Sequence, residues 1–177
     1  PNNPTSILRM IEDKKEMATS ALIPELTNLF KSQKNKPVIK FYDGKEQVKE
    51  IFIQMYDAEE ILGFTSLKRL FEVFPNFFDK WQKEIKKRGI FLKDILSRDS
   101  YKETSAIADK ALGPYVEQRF LSEKHETLTT DILIWNNNVA LITIEEPIFG
   151  TVIHNKFIAD TMRIQFDLIW KTLRAKE

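Results

Sequence analysis

Cysteine is absent from the 177-residue chain, and histidine occurs only at His125 and His154. No disulfide framework, thiolate zinc site or cysteine nucleophile can be built from this composition, and two histidines are too few for a histidine-rich metal site. A reducing, cytoplasmic compartment is expected, with no metal and no cofactor. Glycine is scarce, at five residues, and none is arranged as a phosphate-cradling loop or a nucleophile elbow. Long apolar runs are missing as well: nothing approaches the roughly 20 residues that cross a bilayer. The opening PNNPTS lacks the charged and apolar regions of a signal peptide, so no membrane partner is expected. Excess charge of either sign is also lacking, with 27 Lys plus Arg against 26 Asp plus Glu. A nucleic-acid surface neutralises several phosphates with clustered cations, so this segment by itself is not expected to bind DNA. The chain opens on Pro1, not Met, and reads as a fragment of a longer protein.

What is present is enough for one α/β domain with an appended helix: 42% of residues are hydrophobic and 30% charged. Residues 5 to 31 place Ile7, Met10, Ile11, Met17, Leu22, Leu26, Leu29 and Phe30 at spacings compatible with one helical face. Pro24 should kink or restart that helix. Such an arm either forms a homodimer or packs on its own domain. The polar KSQKNKP stretch marks a boundary, giving residues 1–36 as the arm and linker and 37–177 as the folded domain.

Beyond it, short apolar runs alternate with helical periods. VIKFYD reads as a strand, Asp43 and Gly44 as a turn, and Val48, Ile51, Phe52 and Met55 as the buried stripe of a helix. EILGFT (60–65) is a second strand. Phe74, Phe77, Phe78, Trp81 and Ile85 then repeat at helical spacing up to Gly89, a helix stop preceded by Lys86, Lys87 and Arg88. GIFLKDIL follows as a third strand, so the first half predicts a parallel or mixed sheet with helices on both sides. DILIW (131–135) and VALITI (139–144), joined by Asn136, Asn137 and Asn138, predict a tight antiparallel hairpin. GTVIH and a closing helix with Ile158, Met162, Phe166, Ile169 and Leu173 on one stripe complete the domain.

Three groups of residues invite a chemical reading. His154, Lys156 and Asp160 approach the His-x-Lys-x4-Asp spacing of phosphodiesterases of the phospholipase D superfamily, but one residue short, and His125 has no partner lysine; a polar strand end with Asn155 as helix N-cap is the plainer reading. Glu145 and Glu146 are adjacent in extended chain and so point to opposite faces, which favours a solvated turn. Lys80, Lys83, Lys86, Lys87 and Arg88 interleave with an apolar stripe and read as the wet face of a packed helix. A further signal is positional: Tyr42, Asp43 and Gly44, then Thr65 and Ser66, fall at the ends of the first two strands, where open α/β sheets place ligands.

Several segments taken in order, KPVIKFYDGKEQVKEIF (36–52), EEILGFTS (59–66), VEQRFLSE (116–123), TTDILIWNNNVALIT (129–143) and GTVIHNKFIADTMRIQFDLIW (150–170), resemble the C-terminal effector domain of TrmB-like transcriptional regulators. The resemblance covers about residues 5–173. It implies a phospholipase D-like fold, preceded by a coiled-coil-like dimerisation arm and, before Pro1, a winged helix that would carry DNA binding. Aligned on the hairpin, the superfamily's catalytic His, Lys and Asp fall on Thr129, Asp131 and Asn136, so the resemblance implies a degenerate, non-catalytic site. It also implies a homodimer that senses a small molecule such as a sugar, although this chain ends at Glu177 without the β-rich domain that adds sugar contacts in longer members. The candidate ligand-binding residues are Tyr42, Thr65, Ser66, Arg119 and Asp131; the last two stand in strand-like runs and would pair if buried together. The alternatives are a purely structural dimerisation module and a phosphodiesterase acting through His154.

Overall fold

Short β-branched and aromatic runs bounded by Gly, Pro and Asn form the seven strands of one mixed sheet in the computed structural model. It describes residues 4–17, 19–20, 23–24, 36–100, 103–122 and 128–173. The strands are β1 (Val38–Asp43), β2 (Glu60–Thr65), β3 (Phe91–Leu96), β4 (Val116–Phe120), β5 (Thr130–Trp135), β6 (Asn138–Thr143) and β7 (Phe149–His154). The helices are α1 (Pro4–Met17), α2 (Gly44–Gln54), α3 (Leu67–Val73), α4 (Pro75–Arg88), α5 (Glu103–Leu112) and α6 (Lys156–Thr172). The chain divides into two compact units, Pro1–Lys36 and Pro37–Glu177. In the first, α1 leaves Leu8, Met10, Ile11 and Met17 exposed; the expectations for Leu22, Leu26, Leu29 and Phe30 lie outside the described residues.

In the second unit the strand order is β1-β7-β6-β5-β2-β3-β4. Strands β2, β3 and β4 are parallel, as their helical connections require, whereas β5 pairs antiparallel with β2 and starts an antiparallel run through β6 and β7 to β1. The expected hairpin is present, with Asn136 at a φ of 45° in its turn and Asn138 already in β6. β1 and β2, successive in sequence, are separated by three strands. The two tight antiparallel connections fill the place beside β2, and β1 pairs with β7 at the far edge.

Phe52 on α2 anchors one sheet face. Its ring lies 5.1 to 6.3 Å from those of Phe74, Phe77, Phe78 and Trp81, edge-on to each, and its carbonyl accepts the Trp81 indole N–H at 2.9 Å. Val48, Ile51 and Met55 complete the expected α2 stripe, all fully buried. The helical stretch expected up to Gly89 is α4, which begins at Pro75 where the missing N–H costs nothing; the shorter α3 precedes it. At its end Gly89 adopts a φ of 69°, and Gly89 and Ile90 donate to the carbonyls of Lys86 and Ile85, each at 3.1 Å, which closes the helix. On the other face lies α6, started by the Asn155 side chain accepting the Ile158 N–H at 3.1 Å. Its buried residues are Ala159, Phe166 and Trp170, with Met162 beside them, and Ile169 lies outside the stripe.

Gly150 on β7 admits α2: a Cβ there would collide with Cδ1 of Ile51. Replacing Phe52 by Ala should cost about 3–5 kcal/mol, and Gly150→Ala about 1–3 kcal/mol through overpacking. Urea denaturation followed by far-ultraviolet circular dichroism measures both, and a Gly150→Ala protein as stable as the parent would contradict this packing.

Candidate functional site

The carboxyl ends of β2 and β3 and the amino end of β5 meet at one end of the sheet, and buried polar side chains collect there. β2 terminates in Thr65, followed by Ser66, and β3 runs into a one-turn helix, Arg98–Ser100, preceded by Ser97. The Thr65 hydroxyl lies 2.9 Å from both oxygens of Asp94, in the middle of β3. The Ser66 N–H donates to Oδ1 of Asp131 at 2.9 Å. Asp99 accepts from the Ser66 hydroxyl at 3.1 Å, and from the Ser97 and Ser100 hydroxyls. Thr65, Ser66, Asp94, Ser97, Ser100 and Asp131 are all buried. Gly63 makes room for this arrangement, since a Cβ there would lie 2.6 Å from Oδ1 of Asp94.

Burial sets the protonation of the two carboxyl groups. Desolvation pushes Asp94 up to about 7, opposed by the Thr65 hydrogen bond. Asp131 is raised well above the ordinary carboxylate range, first by desolvation and further by the nearby charges of Asp94 and Asp99; the Ser66 N–H and Arg69 act the other way. Oδ2 of Asp131 has no hydrogen-bond partner, and a carboxyl that keeps its proton presents a buried donor there.

Two cavities flank the cluster. An open crevice of about 500 Å³ is lined by Lys68, Arg69, Glu72, Asp99, Ile144 and Glu145, with the ion pair between Arg69 and Glu145 on its wall. An enclosed void of about 20 Å³ adjoins Thr65, Asp94, Gln82 and Gln118, which is room for about one water; Oε1 of Gln118 is buried there without a partner. Among the described residues no group of His, Asp and Glu is arranged to hold a metal ion. The crevice lining offers charged groups of both signs, Lys68 and Arg69 with Glu72, Asp99 and Glu145.

Of the five residues singled out from sequence, Thr65, Ser66 and Asp131 come together. Tyr42 shares their level of the sheet but stands three strands from Asp131, about 14 Å at the usual strand spacing, and its hydroxyl accepts from Gln54 at 3.0 Å. Arg119 does not pair with Asp131 either, because it faces α6 on the opposite side of the sheet. There its guanidinium lies 4.5 Å from the Trp170 ring and donates to the carbonyls of Trp170 and Leu173. Asp94, Asp99, Ser97, Ser100 and Arg69 were not anticipated. A signal existed for Asp94, an acid at an inward position of an otherwise apolar strand, and for SRDS, a polar cluster ending a parallel strand.

The other motifs lie elsewhere. His154 is exposed at the opposite end of the sheet, with Nδ1 2.8 Å from Oδ1 of Asn138, and Lys156 pairs with Asp160 along α6; His125 is outside the described residues. Thr129 is exposed just before β5, and Asn136 lies a full strand length from Asp131. Glu145 and Glu146 pair separately, with Arg69 and Lys45. Lys80, Lys83, Lys86, Lys87 and Arg88 form the exposed face of α4.

Raised acids make stability depend on pH with a defined sign. Folded Asp94 and Asp131 bind protons that the unfolded chain releases above about pH 4, so their contribution is complete below that value. It falls as pH rises, through about 7 for Asp94 and, for Asp131, well above the ordinary carboxylate range. Asp94→Asn and Asp131→Asn should each gain stability relative to the parent between pH 5 and pH 8, by at least about 1 kcal/mol, since each tenfold difference in proton affinity between the folded and unfolded chain is worth about 1.4 kcal/mol. Urea titrations at the two pH values measure this, and a difference independent of pH would contradict the buried neutral acids.

No family model and no curated protein matches the chain. Solved structures do. TrmBL2, an archaeal chromatin protein with a novel mode of DNA binding, is 19% identical over 99% of this chain and 72% of its own, with a TM-score of 0.57. The phospholipase D family member Nuc from Salmonella typhimurium is 16% identical over 80% of this chain and 99% of its own, with a TM-score of 0.56. NucT from Helicobacter pylori is 10% identical over 80% and 100%, at 0.57. At such identities the likeness shows the fold alone: a mixed sheet flanked by helices, similar to phospholipase D-like folds.

Proposed function

We propose that this chain is the non-catalytic, effector-sensing and dimerising part of a TrmB-like DNA-binding regulator or chromatin protein. The observation that carries the reading is Asp131. On the resemblance stated above it occupies the position of the superfamily's catalytic lysine, and it is a buried carboxyl group held by the Ser66 N–H. A phosphodiester needs a cation there to balance its charge and a histidine beside it to attack phosphorus; Asp131 and Thr129 offer neither. The likeness to TrmBL2 along 99% of the chain supports the regulatory context.

A sugar or another polar metabolite would enter the crevice lined by Lys68, Arg69, Asp99 and Glu145, competing for the Arg69–Glu145 ion pair. Such binding acts on DNA only through different affinities for two arrangements of a dimer. The N-terminal helical arm supplies the dimer contact, and a winged helix outside this chain supplies the DNA contact. A purely structural module is the second reading, favoured by Asp99, whose two oxygens already accept from three serine hydroxyls.

A thermal-shift screen against sugars, sugar phosphates, nucleotides and amino acids, with light scattering on the same samples, decides between them. At a hundredfold excess over Kd a ligand stabilises by about 2.7 kcal/mol, a shift of about 5 °C or more for a chain of this size; a dimer with no shift for any class would support the structural module. Hydrolysis of a phosphodiester such as bis(p-nitrophenyl) phosphate should be undetectable, and turnover lost in Asp131→Asn would overturn the non-catalytic reading.

A further inference from the structure

The α6 side of the sheet is only partly covered. α6 lies over β6 and β5 and reaches β2 through the contact of Phe166 with Phe64, and β4 through Trp170 and Arg119. On β1 and β7, side chains that point to this same face stay in the open: Ile39, Phe41 and Phe149 are exposed, and Leu141 on β6 borders them. Phe41 is 78% exposed, although the alternating strand pattern gives it the same orientation as the buried Val139. The bare strip is two to three strands wide, about 10–14 Å, the width of one helix.

α6 also carries an apolar ridge on its outer side. Phe157, Ile164 and Leu168 are each 62–63% exposed, and at 100° per residue they lie opposite the buried Ala159, Phe166 and Trp170. With Thr161 between them they recur at steps of four, three and four, the spacing of a seam that receives a partner. Scattered exposed apolar residues need no explanation, but a contiguous patch rimmed by polar residues marks an interaction surface.

We infer that a second copy of this chain covers this face. Across a twofold axis the α6 ridge of each copy lies in the bare β1–β7 strip of the other, so that two α6 helices are enclosed between two sheets. The arrangement is isologous, each copy giving a ridge and receiving one. The area is sufficient: at exposures of 37–78% the seven side chains present roughly 800 Å² per copy, the amount each partner of a standard stable interface buries. The inference goes beyond the proposed function, which assigns the dimer contact to the arm, and places a second contact on the domain itself.

The absence of cysteine makes the test clean. Leu168→Cys in the full chain is labelled with a benzophenone maleimide, mixed as ¹⁵N-labelled and unlabelled protein, irradiated and mapped by mass spectrometry, with light scattering on the same samples. Intermolecular cross-links to residues 38–43 and 149–154 are expected. Their yield should fall about tenfold or more when Phe41→Glu is added, which places a charge in the contact; Phe149→Glu provides the same test if Phe41→Glu fails to fold. Cross-links confined to one copy, cross-links mapping to residues 1–36, or a yield indifferent to both glutamates would overturn the inference. If the sample is dimeric in those cases, the dimeric regulator stands and only this interface fails; a monomer at 100 µM-scale concentrations, about the upper range of transient association, overturns both.

Discussion

Two carboxyl groups held inside the sheet with no salt-bridge partner among the described residues are the constraint on which the site depends. Asp94 and Asp131 sit on the face packed by α2, α4 and α5, at the level where β2 and β3 end and β5 begins. An ionised acid in that setting is costly, so each is held with its proton by burial and served by short-range donors. The surrounding choices follow from this demand. Gly63 leaves space for the Asp94 carboxyl, Thr65 supplies its hydroxyl, Ser66 gives its N–H to Asp131, and three serines surround Asp99.

The same constraint bears on function. A phospholipase D-like sheet delivers the start of β5 to the end of the fold where β2 and β3 terminate, and a crevice opens there whatever residues line it. In this chain Arg69, tied to Glu145, stands at the crevice wall, and Asp99 joins the crevice to the buried polar cluster. Side chains of both charges, Lys68 and Arg69 with Glu72, Asp99 and Glu145, line it and can hydrogen-bond a polar group.

Features decided within a few residues were legible in the sequence. The Asn136 hairpin, the Gly89 helix end, the Asn155 cap and the α2 stripe each follow from local backbone preference or periodicity. Features decided across the sheet were not. The place of β1 depends on which strand its edge meets, and no residue in VIKFYD encodes that β7 will be the partner. Arg119 and Asp131 could be recognised as unusual in their strands, but which face each takes depends on register, and they take opposite ones. Tyr42 was drawn to the site by its position at a strand end, a rule that holds only for strands that are neighbours. Asp94 was the missed opportunity, since an acid within FLKDIL has no local explanation and needs a tertiary one.

The central claim, that Asp131 is a buried neutral acid where the resemblance puts a catalytic lysine, is tested most directly by ¹³C nuclear magnetic resonance of the aspartate side-chain carboxyls across pH. Assignment by Asp131→Asn and Asp94→Asn identifies the two signals. Asp94 is expected to titrate near 7 and Asp131 well above the ordinary carboxylate range. An Asp131 carboxyl that titrates within the ordinary carboxylate range would contradict the claim.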